Sequence, residues 1–390
     1  MNDLLRDTLH ERADASQPPP LDLDGIVAAG NHRITRRRAL GVLGGAVAAA
    51  AVTIGTATVV RPRDPRPQPA KPAPFTQRRA TYALGDSIHY GDETILVAPH
   101  KVTAFVQTDA GFVFLNASNA IHVADRAGVR SLGKSSWELT ADFQGGLVGW
   151  VEGFNDHNET VVYDVAAGRE LVRTPIGNKI PALASLVHRS RVIAIDGTTA
   201  YFDTVDGPYR WDVRANRGEL LATVPTNVVR DVVAGQIVFQ QPIDQRPPAV
   251  NLAIAETVSA EAPARFTGQQ AYLSPTAAYL ATQPDDARPG IQPLWAGLNL
   301  VDTTSGKPVK LPSTNYFSYY FGQWIDNETC TVAAEHSERM GTVDLLVVNA
   351  RTGATQVVAP RFAEQGFRTT PPRTAEFALP TGRPIIDLAN

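Results

Sequence analysis

"YRWDVRANRGELLATVP", residues Tyr209 to Pro225, decides how this chain is read. An aromatic and apolar run ends at Asp212, a polar turn with a glycine follows, and a second apolar run stops at Pro225. Two strand-forming runs joined by a short polar turn make a hairpin. The question is whether the hairpin stands alone.

It does not. "TVVYDVAAGRELVRTP" at 160–175 has the same layout, with Asp164 before the turn and Gly168 inside it. "LNLVDTTSGKPVKLP" carries Asp302 and Gly306, "LLVVNARTGATQVVAP" carries Asn349 and Gly353, and "AIHVADRAGVRSLGK" carries Asp125 and Gly128. A degenerate copy, "NLAIAETVSAEAPARF", has Glu256 at the marker position. Markers at 125, 164, 212, 256, 302 and 349 are separated by 39, 48, 44, 46 and 47 residues. Unrelated hairpins would not keep such a period.

A further apolar run precedes each marker: "GFVFLN", "GLVGWVEG", "RVIAIDG", "GQIVFQQ", "AAYLATQ" and "CTVAAEH" in turn. One more lies upstream in most units, as in "VTAFVQT" and "IPALASLV". The reading is four strands per unit, separated by Gly, Asp, Asn and Pro turns, with almost no helical periodicity after residue 80. Four-stranded units repeated radially are the blades of a β-propeller, in which neighbouring sheets bury each other's faces. Two remnants flank the six units: "YALGDSIHYGDETILVAP" at 82–99 and "TAEFALPTGRPIID" at 374–387. Pairing strands from both chain ends in one blade removes the free edge of the ring. The expectation is an all-β, seven-bladed propeller over 81–390 with a composite last blade; six blades is the alternative.

"YRWDVRANRGELLATV" resembles the end of a WD-type propeller repeat, in which a Trp-Asp pair closes the third strand. "LSPTAAYLAT" at 273–282 is similar to the Ser-Pro-Asp-Gly strand turn of such blades, with Thr276 and Ala277 in place of Asp-Gly. The resemblance covers residues 81 to 380 and carries one Trp-Asp pair, so it implies a WD-like propeller.

The first eighty residues differ. Positions 39–60, "ALGVLGGAVAAAAVTIGTATVV", hold no charge over 22 residues. A helix of that length rises about 30 Å, the hydrocarbon thickness of a bilayer. Arg33, Arg36, Arg37 and Arg38 crowd its start, and "TRRRALG" resembles a twin-arginine export signal, with Ala39 where a bulky apolar residue is usual. The end of the run offers no convincing small-residue cleavage site, which favours an uncleaved signal-anchor. Residues 61–80 begin with Pro62, Pro65, Pro67, Pro69, Pro72 and Pro74, spacing that suits an extended, semi-rigid linker. Ahead of the apolar run, residues 1–38 contain two short amphipathic pieces, one with Leu4, Leu5 and Leu9 on a helical stripe, suited to a cytoplasmic protein partner. The expected organisation is a single-pass protein of the cell membrane, its tail cytoplasmic and its propeller outside; secretion through the twin-arginine-like signal is the alternative.

Composition narrows the function. A net charge of -3 and 19% charged residues leave no polybasic field, so no nucleic-acid partner is expected. The single cysteine, Cys330, excludes an internal disulfide and a cysteine-clustered zinc site. "GFNDHNETVV" gathers Asp156, His157, Asn158 and Glu159, but consecutive hairpin residues cannot all face one ion, so a solvated loop is expected. "AAEHSERMG", with Glu335, His336 and Glu338, occupies the corresponding place between second and third strands. "NYFSYYFGQW", with Tyr316, Phe317, Tyr319, Tyr320, Phe321 and Trp324, reads as blade core, the alternative being a stacking surface for sugars or aromatic ligands. Nothing ties Ser87 or Ser274 to a histidine and a carboxylate, and no phosphate loop occurs. No catalytic residue, cofactor or metal ligand is therefore nominated.

The organisation resembles the propeller-bearing membrane proteins of GC-rich bacteria that accompany extracytoplasmic-function sigma factors; 30 arginines against 6 lysines fit GC-rich coding. The resemblance implies an extracytoplasmic binding or sensing module for an unknown protein or glycan, with residues 1–38 regulating a sigma factor. An exported propeller hydrolase or lyase acting on polysaccharide or peptide is the rival reading.

Overall fold

The computed structural model describes residues 74–152, 159–175, 191–204, 207–221, 229–240, 251–259, 261–268, 270–283, 297–311, 315–339, 341–364 and 376–385. These residues form seven antiparallel sheets. Blade 1 is composite: Phe377–Ala378 pairs with Thr81–Leu84, followed outward by Ser87–Tyr90 and Glu93–Leu96. Blade 2 is Val102–Thr108, Gly111–Asn116, Ala120–Asp125 and Gly128–Ser135; blade 3 is Thr140–Ala141, Leu147–Glu152, Glu159–Asp164 and Arg169–Thr174. Blade 4 is Arg191–Asp196, Thr199–Thr204, Gly207–Asp212 and Arg217–Leu220; blade 5 is Val229–Val233, Gln236–Gln240, Asn251–Ala255 and Phe266–Thr267. Blade 6 contributes Gln270–Leu273, Tyr279–Gln283 and Asn299–Asp302, and blade 7 Tyr316–Trp324, Thr329–His336, Thr342–Asn349 and Thr355–Glu364. Both expectations about the ring hold: seven blades, with the last one closed by the two ends of the propeller.

Seven apolar clusters account for the ring's cohesion, each shared by two neighbouring blades. Phe105, Phe112 and Ile88 join blades 1 and 2, for instance, and Phe362, Leu345 and Phe377 join blades 7 and 1. The inner strand Val102–Thr108 is covered on both faces, all seven of its residues being buried, its polar Thr103, Gln107 and Thr108 included. Outer strands face water, and Arg217–Leu220 is exposed throughout.

The markers prove to be turn acceptors. The Oδ1 atoms of Asp164, Asp212, Asp302 and Asn349 accept backbone N–H groups three residues on, at 2.7 to 2.9 Å. In three of these turns the fifth residue is a glycine whose N–H donates to the marker's carbonyl at 2.8 Å, with φ of +68° or +74°. In the fourth that place belongs to Asn216, at φ +49°. Asparagine tolerates the left-handed region because its short side chain bonds locally. The glycine of that stretch, Gly218, sits opposite Trp211 in the ladder, and a Cβ there would run into the indole ring. It is a packing glycine, not a turn glycine.

Three details differ from the sequence reading. In blade 4 "RVIAID" is the first strand rather than the second; the second is Thr199–Thr204, whose buried Asp203 and Thr204 disguise it as polar. The outer strand of that blade is Arg217–Leu220, shorter than the run up to Pro225 suggests. Blade 6 has three described strands, and its expected fourth is reduced to one bridge, Val301 to Pro308, because proline has no N–H for a ladder. No helix occurs among the described residues, so none there is long and apolar enough to cross a membrane. The expected tail 1–38, helix 39–60 and most of the linker lie outside the described residues, as does "IPALASLV".

Candidate functional site

The first strands of the blades surround a central cavity of ≈ 170 Å³. Each runs toward a turn that leads to its second strand, and at this turn end the chain closes its own channel. Phe75 donates its N–H to the Asp109 carbonyl (2.9 Å) and packs edge-on against Tyr90 and Phe112, with ring centroids 5.3 and 5.0 Å away. Gln107 Nε2 donates to the carbonyls of Phe75 and Gln77, both at 3.0 Å, and Gln323 Nε2 donates to the Arg79 carbonyl at 2.7 Å. Arg78 turns inward, donating to the carbonyls of Phe75 (3.1 Å) and Phe143, with Asp109 Oδ1 at 3.5 Å. Burial pushes the Arg78 pKa down, against the pull of Asp109 and Asp142. Residues 75–79 thus form a clasp held by blades 1, 2, 3 and 7.

Away from the clasp the wall is rich in arginine. Arg191 opens the first strand of blade 4, Arg230 lies in that of blade 5, and Arg383 follows the inner strand of blade 1. Arg191 donates through Nη2 to the Val229 carbonyl at 2.8 Å, and its Nε stands 3.5 Å from Asp203 Oδ2. Arg230 donates to Gln240 Oε1 at 2.9 Å. Arg383 Nε is 3.3 Å from Glu138 Oε2. Its placement depends on Gly382, which at φ +74° donates to the Phe105 carbonyl (2.8 Å) and accepts from Leu139 N–H (2.9 Å). A Cβ at Gly382 would overlap the Leu139 carbonyl oxygen. Burial lowers the Arg191 pKa, and the like charge of Arg383 adds to that.

Two carboxylates share the cavity. Asp231 Oδ1 accepts from Val232 N–H (2.8 Å) and Oδ2 from Leu273 N–H (2.7 Å), joining the inner strands of blades 5 and 6. Burial nevertheless lifts its pKa to about 6. Asp142 Oδ1 accepts from Gln144 N–H at 3.2 Å, and burial raises its pKa as well. The apolar wall includes Tyr272 stacked on Phe321 at 4.5 Å, and Trp324 Nε1 donates to the Tyr272 carbonyl at 3.2 Å.

Residues singled out in the sequence fall elsewhere. Asp156, His157 and Asn158 lie outside the described residues; Glu159 bonds Arg173, part of a surface network with Glu152, Glu170 and Lys134. Glu335 is buried and accepts Gly341 N–H at 2.8 Å, while His336 Nε2 lies 3.0 Å from Asp344 Oδ2, which also accepts from Tyr316 Oη at 2.8 Å. Both hairpins do connect second and third strands. Tyr319, Phe321 and Trp324 join the core shared by blades 6 and 7. Ser87 Oγ does meet a histidine, His89 Nε2 at 3.2 Å, but the other ring nitrogen faces the Thr94 hydroxyl at 3.3 Å, not a carboxylate. Ser274 is buried, its Oγ accepting Tyr279 N–H at 3.0 Å. The channel residues escaped sequence reading because arginines from blades 4, 5 and 1 converge only when the ring closes; the one local hint was Gly382 before Arg383.

Ring and channel together define a seven-bladed, WD-like β-propeller. No family model and no curated protein matches the chain. Among solved structures it is similar to TolB from Acinetobacter baumannii, at 14% identity over 76% of this chain and 65% of that one, TM-score 0.40. The putative TolB from Agrobacterium tumefaciens is 9% identical over 80% and 97% of the two chains, TM-score 0.39. A puromycin-hydrolyzing peptidase from Mycobacterium tuberculosis is 15% identical over 80% and 58%, TM-score 0.44. The chain thus spans about two thirds of the first TolB. These likenesses concern the fold alone.

Proposed function

We propose that this protein is a binding or sensing module whose propeller takes its ligand or partner at the end of the central channel away from residues 75–79. The observation that carries the reading is the clasp: residues 75–79 close one end of the channel, while a few charged side chains set in an apolar wall line the rest. A ring sealed at one end behaves as a cup, and concave sites with a few convergent polar groups are where ligands bind. In the proposed arrangement residues 39–60 anchor the chain in the membrane, residues 1–38 face the cytoplasm and regulate a sigma factor, and the propeller lies outside.

The test uses the full-length chain. A reporter active only outside the cytoplasm, fused after residue 390, is expected to be active; activity of a cytoplasm-only reporter there overturns the topology. Affinity purification of the same chain is expected to retain a sigma factor, and a Leu5→Ala, Leu9→Ala variant to lose it. Retention by the variant, or none by either, refutes regulation through the tail.

A further inference from the structure

Blade 2 holds a buried histidine that the binding-module reading leaves unused. We propose that His122, with Asn116 and His100, is a proton-sensitive latch: its neutral ring locks the turn 116–120, and protonation releases it. The latch adds acid sensitivity to the end of the channel where that reading places the ligand.

The directions of the hydrogen bonds carry the argument. His122 lies in the third strand of blade 2 and is 4% exposed. Asn116 ends the second strand, and its Oδ1 accepts Ser118 N–H (3.0 Å), Ala120 N–H (3.0 Å) and the Ser118 hydroxyl (2.8 Å). Backbone N–H groups only donate, so the atom they reach is the amide oxygen, and the amide nitrogen is fixed on the other side. That Nδ2 stands 3.3 Å from His122 Nε2. An amide nitrogen offers donors alone, so Nε2 accepts and the ring carries its one proton on Nδ1. Among the described residues Nδ1 has no hydrogen-bond partner. A second proton would set N–H against N–H at Nε2. The amide cannot turn over to receive it without giving up both backbone bonds.

The surroundings oppose the charge as well. Phe114, on the second strand, stacks on the ring with centroids 5.1 Å apart, and Ser131 stands opposite on the fourth strand; both are uncharged. His100, from the connection between blades 1 and 2, packs against the ring at 4.1 Å and is the one charged group acting on it among the described residues. Burial, and then the like charge of His100, hold the His122 pKa below the ordinary 6.5. The second strand runs back from the clasp end, so the turn 116–120 lies at the opposite end of the ring. There the Asn119 carbonyl accepts Ser136 N–H at 3.0 Å, and two residues on, Glu138 meets Arg383 of the cavity wall at 3.3 Å. Opening the turn loosens the segment that positions Arg383.

The experiment is histidine-selective NMR with amide hydrogen exchange on the purified full-length chain between pH 5 and pH 7.5. The His122 ring is expected to show the Nδ1–H tautomer at pH 7.5 and to take up its second proton only below pH 6.5. With the pKa lower in the closed turn than in the open one, the open form binds more protons, so protection is full above 6.5 and lost as pH falls. Protection of the Ser118, Ala120 and Ser136 amides, corrected for intrinsic exchange, is expected to fall by up to about tenfold per pH unit. His122→Phe keeps an aromatic ring against Phe114 and cannot titrate, and its protection is expected to stay constant over the range. Should that variant not fold, Asn116→Asp replaces Nδ2 by a carboxylate oxygen; it is expected to raise the His122 pKa above that of the wild type and to keep the amides protected at pH 5. An Nε2–H tautomer, a His122 pKa at or above the ordinary value, or an acid loss of protection that persists in either variant overturns the latch. No ligand enters these measurements, so the latch and the binding-module reading fail separately.

Discussion

Replacing Asp231 with asparagine removes a charge that its surroundings disfavour. Its carboxyl is lifted from 3.8 to about 6 by burial, which outweighs the Leu273 and Val232 N–H groups that stabilise the charged form. A carboxyl whose pKa is higher folded than unfolded binds more protons in the native state between those values. Its contribution to stability is therefore fully present below pH 3.8 and lost as pH rises through 6. Two pH units at about 1.4 kcal/mol each give about 3 kcal/mol, less whatever water in the channel screens. Asparagine has one acceptor oxygen where the carboxylate has two, so one N–H loses its partner at every pH, costing about 1–3 kcal/mol. The assay is urea unfolding of both proteins between pH 4 and pH 8. Wild type minus variant cancels the carboxylates that shift the other way, such as Asp212 and Asp302, held down chiefly by backbone N–H groups. That difference is expected to fall by about 2–3 kcal/mol from pH 4 to pH 7. A flat difference, or one that rises with pH, refutes the account of Asp231 as a buried, disfavoured charge.

Gly218→Ala is expected to cost about 1–3 kcal/mol in thermal unfolding by overpacking against Trp211, whereas Asn216→Gly stays within about 0.5 kcal/mol, since φ +49° is already left-handed. The reverse order contradicts the assignment of packing and turn roles. Gly382→Ala is expected to lower stability by about 1–3 kcal/mol through strain and the clash with Leu139, and a wild-type melting temperature would contradict it. Cys330 is buried with its pKa pushed up to about 12, so a maleimide at pH 7.5 is expected to label the protein only in denaturant. Labelling in native buffer at the denatured rate would show the core shared by blades 6 and 7 to be open. Trp150→Ala, which empties a buried position between blades 2 and 3, is expected to cost about 3–5 kcal/mol; a loss below about 1 kcal/mol in urea unfolding would mean that the neighbours collapse into the space.

The ring was legible in the sequence because each blade repeats one local problem. A third strand must turn into a fourth, and an acidic or amide side chain that accepts the turn's N–H groups solves it, so Asp125, Asp164, Asp212, Asp302 and Asn349 recur in register. Strands that need no such device were harder to see. Thr199–Thr204 hides because Asp203 and Thr204 are buried yet polar, a choice that makes sense only once Arg191 is beside Asp203. The channel was not legible at all. Its residues lie as far apart in the chain as Arg78 and Arg383, and no spacing rule links them. What brings them together is ring closure, a property of the whole chain.

That closure has a consequence for how the protein is made. A ribosome releases residues in order, and the innermost strand of the first blade is Phe377–Ala378, which emerges after the strands of the other six blades. Until then the apolar cluster shared by blades 7 and 1 lacks Phe377 and Leu379, and the mouth lacks Arg383. A nascent chain can stack six blades one upon the next as it lengthens, but it exposes a sticky flank throughout synthesis. A message cut short before the codon for Phe377 would yield a product that retains most of its sheets yet leaves an unsealed seam for chaperones and proteases to recognise.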